Sequence, residues 1–234
     1  MKLHFSIDDV IYSLMDLYNE APKSVFCVPF FGFLKQMHEK YGAVFTLYAF
    51  ENYAESFFIN SVPKHYWEEL VKCDFIRIGF HGVFFFDSVE IFEKKCVNFY
   101  SCIPICLRPS ILRLHEYKAD ATMLEIVRRF GVSQMLCSER ERKKTSYFFS
   151  ESEEKNIGTV PWVLNNMSYV KTSMRIEFYE YYQLIEQYKQ LILFGMEDSM
   201  IAVYTHEKYY YEYKKSIEAI CEMTFKSNNI QFVF

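Results

Sequence analysis

Residues 3–9 read Leu-His-Phe-Ser-Ile-Asp-Asp, a short apolar run that stops on two adjacent carboxylates, Asp8 and Asp9. A run of this length suits a strand buried on both faces of a parallel sheet. In parallel α/β folds the functional groups gather at the C-terminal ends of the strands. Successive side chains on a strand point to opposite faces. Asp8 and Asp9 can therefore serve one site only if the chain turns where the strand ends. Asp9 is then placed to bind a divalent metal while Asp8 acts as a base on water. Asp and His ligands with an open position suit zinc or a similar transition metal. The competing reading is that one of the two acids caps the segment that follows.

Outward from this stretch, short apolar runs alternate with helical patterns. A helix is predicted near Phe30 to Lys40, with Gly42 at its C-cap. A strand follows over Ala43 to Phe50, then a helix over Lys64 to Val71 opened by Pro63. Phe75 to Phe80 is a strand that delivers His81. Ser88 caps a helix running to Phe99. Ile111 to Leu114 is a strand that carries Arg113 and delivers His115. Ala121 to Phe130 is a helix stopped by Gly131, and Gln134 to Cys137 is a strand. Met174 to Phe178 is a strand, Glu180 to Phe194 a helix, and Met200 to Thr205 a strand that delivers His206 and Glu207. A long helix over Glu207 to Lys226 and an edge strand over Gln231 to Phe234 end the chain. Strands and helices alternating at this spacing imply a mostly parallel sheet. Six or seven such units favour an α/β barrel of about seven strands. The whole of 1–234 reads as one domain, with a charged, exposed insertion at about 139–156.

The bulk composition narrows the function. Hydrophobic residues make up 51% and charged residues 24%, which argues against disorder. A net charge of −4 gives no support for phosphate neutralisation, so no nucleic-acid partner is expected. The 24 Phe and 19 Tyr are read mainly as core, since aromatic side chains bury large areas. Seven scattered Cys with no CxxC suit free thiols in a reducing compartment. The first ten residues lack the apolar run of a signal peptide, and no stretch has the length of a membrane span. The expectation is a cytoplasmic protein with no membrane partner.

Four predicted strands end in groups that suit a common site: Asp8 and Asp9, His81, Arg113 and His115, and His206 with Glu207. At these residues the sequence resembles the polysaccharide deacetylase (NodB-homology) superfamily, whose fold is a distorted (β/α) barrel of the glycoside hydrolase/deacetylase type. FSIDDV at 5–10 looks like the family's first motif, normally TFDDG. IGFHGV at 78–83 looks like its second, histidine-rich motif. LRLH at 112–115 falls where the family has an Arg-Pro motif, and IAVYTHE at 201–207 looks like the last motif. FSIDD, GAVFTLY at 42–48, GFH and RLH together are similar to short bacterial members.

The resemblance implies Asp8 as catalytic base, Arg113 as its brace, His206 as proton donor to the leaving group, and Asp9 and His81 as metal ligands. The family's second motif carries another His four residues after the first; here that position is Phe85. His115, from the neighbouring strand, is the expected replacement ligand. The implied activity is metal-dependent removal of an N-acetyl or similar acyl group from a carbohydrate or oligosaccharide, with zinc the expected metal. The alternative is a catalytically degenerate barrel that binds a carbohydrate or a protein partner. Phe5, Phe84 and Tyr117 are candidates for a sugar-stacking floor. A phosphohydrolase using the paired acids would want a glycine-rich loop, and the seven Gly do not cluster.

Overall fold

The computed structural model describes residues 1–82, 88–139 and 146–234. Eight strands build the framework: β1 (Lys2–Val10), β2 (Phe45–Ala49), β3 (Ile76–Phe80), β4 (Ile111–Leu112), β5 (Gln134–Cys137), β6 (Met167–Lys171), β7 (Met174–Arg175) and β8 (Met200–His206). Parallel ladders join them in the order β7-β8-β1-β2-β3 and, separately, β4-β5-β6. The chain itself links the two sets, because β6 runs on through Thr172 and Ser173 into β7. Thr172 N–H donates to Cys137 O at 2.9 Å in one set, and Ser173 N–H to Ala202 O at 2.8 Å in the other. Six of the strands, with β6 and β7 as one continuous stave, therefore make a ring of seven.

The ring is distorted on its other side. No ladder joins β3 to β4 among the described residues. The two strands are instead packed closely, since a Cβ on Gly79 would come within 2.8 Å of Leu112 and 2.9 Å of Pro109. Only glycine permits this approach of β3 to the segment carrying β4. Beyond both strand ends, His115 N–H donates to His81 O at 2.6 Å and ties the gap shut at the top.

Helices α1 (Tyr12–Glu20), α2 (Pro29–Tyr41), α3 (Lys64–Val71), α4 (Val89–Cys102), α5 (Ala121–Arg128), α6 (Tyr181–Phe194) and α7 (Lys214–Lys226) form the outer layer. Their limits follow local chemistry. Pro29 opens α2, and Gly42 closes it at φ 64°, its N–H bonded to His38 O. Ser88 caps α4 and Asp120 caps α5 through their side chains. The strands are nearly all buried apolar residues, and Phe5 lies fully in the core. It is therefore not part of a stacking floor; Phe84 lies outside the described residues. No helix among the described residues is long and apolar enough to cross a membrane.

Several elements differ from the sequence reading. The strand predicted to Phe178 stops at Arg175 and gives way to a 3-10 turn over Ile176–Phe178. The last helix starts at Lys214, not Glu207. Among the segments not anticipated are α1, β6 with the strand Trp162–Leu164 that pairs with it, and the hairpin pairing Asn52–Tyr53 with Phe57–Phe58. Gln231–Val233 is an edge strand as expected, paired on one side only among the described residues, in parallel with the start of β1 below β2. In the charged segment, residues 140–144 of the basic run lie outside the described residues. Downstream, Ser146, Tyr147 and Phe149 are buried, with Tyr147 Oη donating to Leu136 O at 2.7 Å. The charges there mark a solvated face, but the aromatics between them are core.

Helix α1 explains why the final helix is late. Its first turn has no side-chain cap of its own. Instead, the buried Glu207 carboxylate accepts from Ile11, Tyr12 and Ser13 N–H at 2.7, 2.8 and 2.7 Å. Three of the four orphan donors of the helix are thus met from a residue 194 to 196 positions away. Burial raises the Glu207 pKa, and these N–H groups oppose that rise. Glu207→Ala strips the cap and strands the donors. It is expected to cost about 2–4 kcal/mol in urea unfolding. A loss under about 0.5 kcal/mol, the size of an ordinary surface change, would show that the cap is dispensable.

Candidate functional site

The two acids are presented together by a break in β1. The β1–β2 register shifts between Ile7 and Val10, and Asp9 takes φ 57°. This left-handed conformation is unfavourable for most residues but tolerated by Asp. It rotates Asp9 off the strand's alternation, so its carboxylate meets the same end of the ring as Asp8.

Asp8 is held by a fully buried arginine. Arg113 Nη1 donates to Asp8 Oδ1 and Oδ2 at 3.1 and 3.0 Å and to Ser6 Oγ at 3.0 Å, while Nη2 donates to Thr172 Oγ1 at 3.1 Å. Both side chains are 2% exposed. The guanidinium lies 3.9 Å over the Tyr204 ring. Burial alone would depress the Arg113 pKa, but the Asp8 carboxylate and the nearby tyrosines drive it upward, so the arginine stays charged.

Asp9 sits among three imidazoles. Its Oδ1 lies 3.3 Å from His81 Nε2 and 4.0 Å from His115 Nε2, and its Oδ2 lies 3.9 Å from His206 Nε2. Burial pushes the Asp9 pKa up, yet the three histidines outweigh it and bring the group down to about 2. The same attraction raises the pKa of His81 against its own burial, whereas burial and the neighbouring His81 lower that of His115. His81 Nδ1 lies 2.8 Å from Arg113 O, and a carbonyl can only accept. Nδ1 therefore carries hydrogen and Nε2 faces Asp9, the orientation in which a carbonyl holds a ligating histidine by its other nitrogen. Phe50 packs on the His81 and His115 rings at 5.4 and 5.5 Å and fixes their planes.

His206 is oriented by an acid absent from the sequence reading. Glu177 Oε1 accepts from His206 Nδ1 at 3.0 Å, His206 N at 2.6 Å and Thr205 Oγ1 at 2.9 Å. Burial raises the Glu177 pKa, but the contacts with His206 win and lower it. Nε2 of His206 is left facing Asp9. The sequence signal for Glu177 was an acid following the strand that neighbours the His206 strand. Reading 174–178 as one continuous strand concealed it.

Asp8, His81, Arg113, His115 and His206 line one pocket of about 240 Å³, joined by Tyr117, Glu139, Arg175 and Tyr204. Five of the six predicted site residues thus line it, and the sixth, Asp9, lies against three of them, His81, His115 and His206, whereas Glu207 is drawn away to cap α1. Phe85, which stands in place of a second histidine, lies outside the described residues. After His115 the backbone carries Glu116 and Tyr117 at φ 50° and 58°, a second strained stretch at the same rim.

The donor set suits a divalent cation by type: one carboxylate and two imidazoles, with Asp9 Oδ1 buried and accepting no well-formed hydrogen bond. Ligand atoms around tetrahedral zinc lie roughly 3.3 Å apart, from bond lengths of about 2.0–2.1 Å. The Asp9–His81 spacing of 3.3 Å matches this, and the Asp9–His115 spacing of 4.0 Å is wider. Accordingly, no closed group of three or more His, Cys, Asp or Glu forms a metal cage among the described residues.

No family model matches the chain, and no curated protein matches it in sequence. Solved structures do match in fold. A protein from Mycobacterium smegmatis assigned as a polysaccharide deacetylase aligns over 98% of this chain and 85% of its own, with TM-score 0.51 and 9% identity. A CE4 family pseudoenzyme from Bacillus anthracis aligns over 99% of this chain at TM-score 0.52 and 7% identity; this chain spans 63% of its length. The 4-alpha-glucanotransferase of Thermococcus litoralis aligns over 99% of this chain and 37% of its own, at TM-score 0.51 and 10% identity. The chain has the distorted α/β barrel fold of the polysaccharide deacetylases.

Proposed function

We propose that the protein is a metal-dependent hydrolase that removes an N-acetyl or similar acyl group from a carbohydrate. The observation that carries this reading is the pairing, at one end of the barrel, of an arginine-held Asp8 with an Asp9 ringed by three imidazoles. Asp9, His81 and His115 would hold a divalent cation, zinc by donor type, and Lewis-acid polarisation of the acyl carbonyl is the chemistry such a cation supplies. Asp8, aimed by Arg113, takes a proton from the attacking water. His206, its Nδ1 proton committed to Glu177, gives a proton from Nε2 to the departing amine. Tyr117 and Tyr204 wall the space where the sugar ring would lie.

The alternative, a degenerate barrel that binds sugar without cleaving it, draws on the phenylalanine at position 85 and on the pseudoenzyme among the structural matches. Metal content and turnover separate the two. Chelator-stripped protein reloaded with zinc is expected to retain the metal through desalting and to release acetate from N-acetylchitooligosaccharides only when loaded. His115→Ala is expected to weaken zinc binding by more than the roughly 10–100-fold typical of an outer-shell partner. Full occupancy in that variant would remove His115 from the ligand set. An apoprotein that cannot be loaded and releases no acetate would favour the binding reading.

A further inference from the structure

At the same end of the barrel, beside the pocket, the turn Ile176–Phe178 and the start of α6 form a second concavity that the reaction above does not use. This shallow groove of about 580 Å³ is lined by Phe178, Tyr179, Tyr182, Gln183, Glu186 and Gln187. Tyr182, Gln183, Glu186 and Gln187 fall at helical spacing, so they share one face of α6, and Phe178 and Tyr179 precede that helix. Tyr182 is 82% exposed and Phe178 51% exposed.

Two features mark the groove as more than an incidental apolar patch. The first is its chemistry. Flat aromatic faces alternate with amide side chains, so the apolar face of a pyranose could stack while its hydroxyls meet donors and acceptors. Among the described residues one acid, Glu186, is the only charged group lining it. The second is its continuity with the pocket. Arg175 lines the pocket and places its guanidinium 4.5 Å over the Phe178 ring, which in turn lines the groove. Arg175 is itself held by Glu177 at 3.3 Å, the acid that orients His206. A single connected set of side chains therefore runs from the reacting centre to the groove.

Size points the same way. The pocket bounded by the described residues, about 240 Å³, is smaller than the ~300–1,000 Å³ usual for small-molecule sites. It has room for one sugar ring, and the rest of a longer ligand must lie outside it. We propose that the Phe178–Tyr182–Gln187 groove is a distal subsite that stacks a further ring of a neutral oligosaccharide, whose acylated ring occupies the pocket. This inference rests on the carbohydrate reading of the pocket. It makes the preferred ligand an oligosaccharide and not a free monosaccharide.

The test uses N-acetylchitooligosaccharides of two to five units, with affinity read by calorimetry and acetate release read separately. For the full chain, affinity is expected to rise at least tenfold from the disaccharide to the pentasaccharide. Tyr182→Ala, at an exposed position that does not threaten folding, is expected to cut pentasaccharide affinity about 5–10-fold through loss of one aromatic stacking face. Phe225→Ala, another exposed aromatic, on α7, serves as a control and is expected to leave affinity unaltered. Length-independent binding, or an unaltered Tyr182→Ala, overturns the subsite even if acetate is released. Tyr182-dependent binding without acetate release upholds the subsite and defeats the deacetylase reading. Loss of self-association in Tyr182→Ala, with sugar affinity intact, would make the groove a contact between copies of this chain and overturn the proposal.

Discussion

Replacing Asp8 by Asn is expected to lower acetate release by about 10²–10⁴-fold, the usual contribution of a positioned general base. The substitution keeps the size of the side chain and leaves Arg113 an oxygen to bond. It removes the capacity to take a proton. The loss should therefore fall on kcat, with zinc retained, since Asp9, His81 and His115 are untouched. Asp8 has no polar partner besides Arg113 and Ser6 among the described residues, so little else competes to explain such a loss. Activity within a few fold of the parent would remove Asp8 from the base role. The arginine would then hold it for structural reasons alone. Near-ultraviolet circular dichroism on the same sample checks that the barrel is intact.

The second large effect is on stability. Arg113→Met is expected to destabilise the fold by about 3–5 kcal/mol, because it leaves the buried Asp8 carboxylate without its cation. The arginine ties β1 through Asp8 and Ser6 to the Thr172 link between β6 and β7, across the interior of the ring. Its removal therefore breaks contacts between strands that no ladder joins. The double variant Asp8→Leu, Arg113→Met is expected to regain most of that loss, since a buried ion pair replaced by apolar groups of similar volume is often neutral or better. Denaturant midpoints for the parent, the two single variants and the double variant complete the cycle. A double variant no more stable than Arg113→Met would show that the guanidinium acts through packing on Tyr204 and not through charge.

Much of the barrel was readable because its signals are local. Apolar runs ending in polar groups gave β1, β2, β3, β5 and β8. Pro29, Gly42 and Ser88 marked helix ends by their own backbone and side-chain chemistry. The missed elements had their signals elsewhere. Helix α1 carries no cap in its own sequence, because Glu207 supplies it from the far end of the chain. That same bond delays α7, so one distant contact accounts for two errors. β6 did leave a local trace. Asn165-Asn166, at φ 50° and 60°, form a tight hairpin turn between Trp162–Leu164 and Met167–Lys171. The pair of asparagines could have been read as such a turn.

The site divides in the same way. The sequence by itself determined which residue types stand at the strand ends: two acids after β1, a histidine after β3, arginine and histidine after β4, and histidine closing β8. It could do so because a parallel sheet sends every such end to one face. Only the tertiary structure decided how these groups pair. The turn at Asp9, and not strand geometry, lets adjacent acids meet the same end of the ring. The seam between β3 and β4, closed by His115 N–H on His81 O, brings the two histidines to the same carboxylate. Glu177 becomes the partner of His206, and Glu207 is spent on a helix. These choices rest on hydrogen bonds between residues far apart in the chain, formed only when the ring closes, and no spacing or composition encodes them.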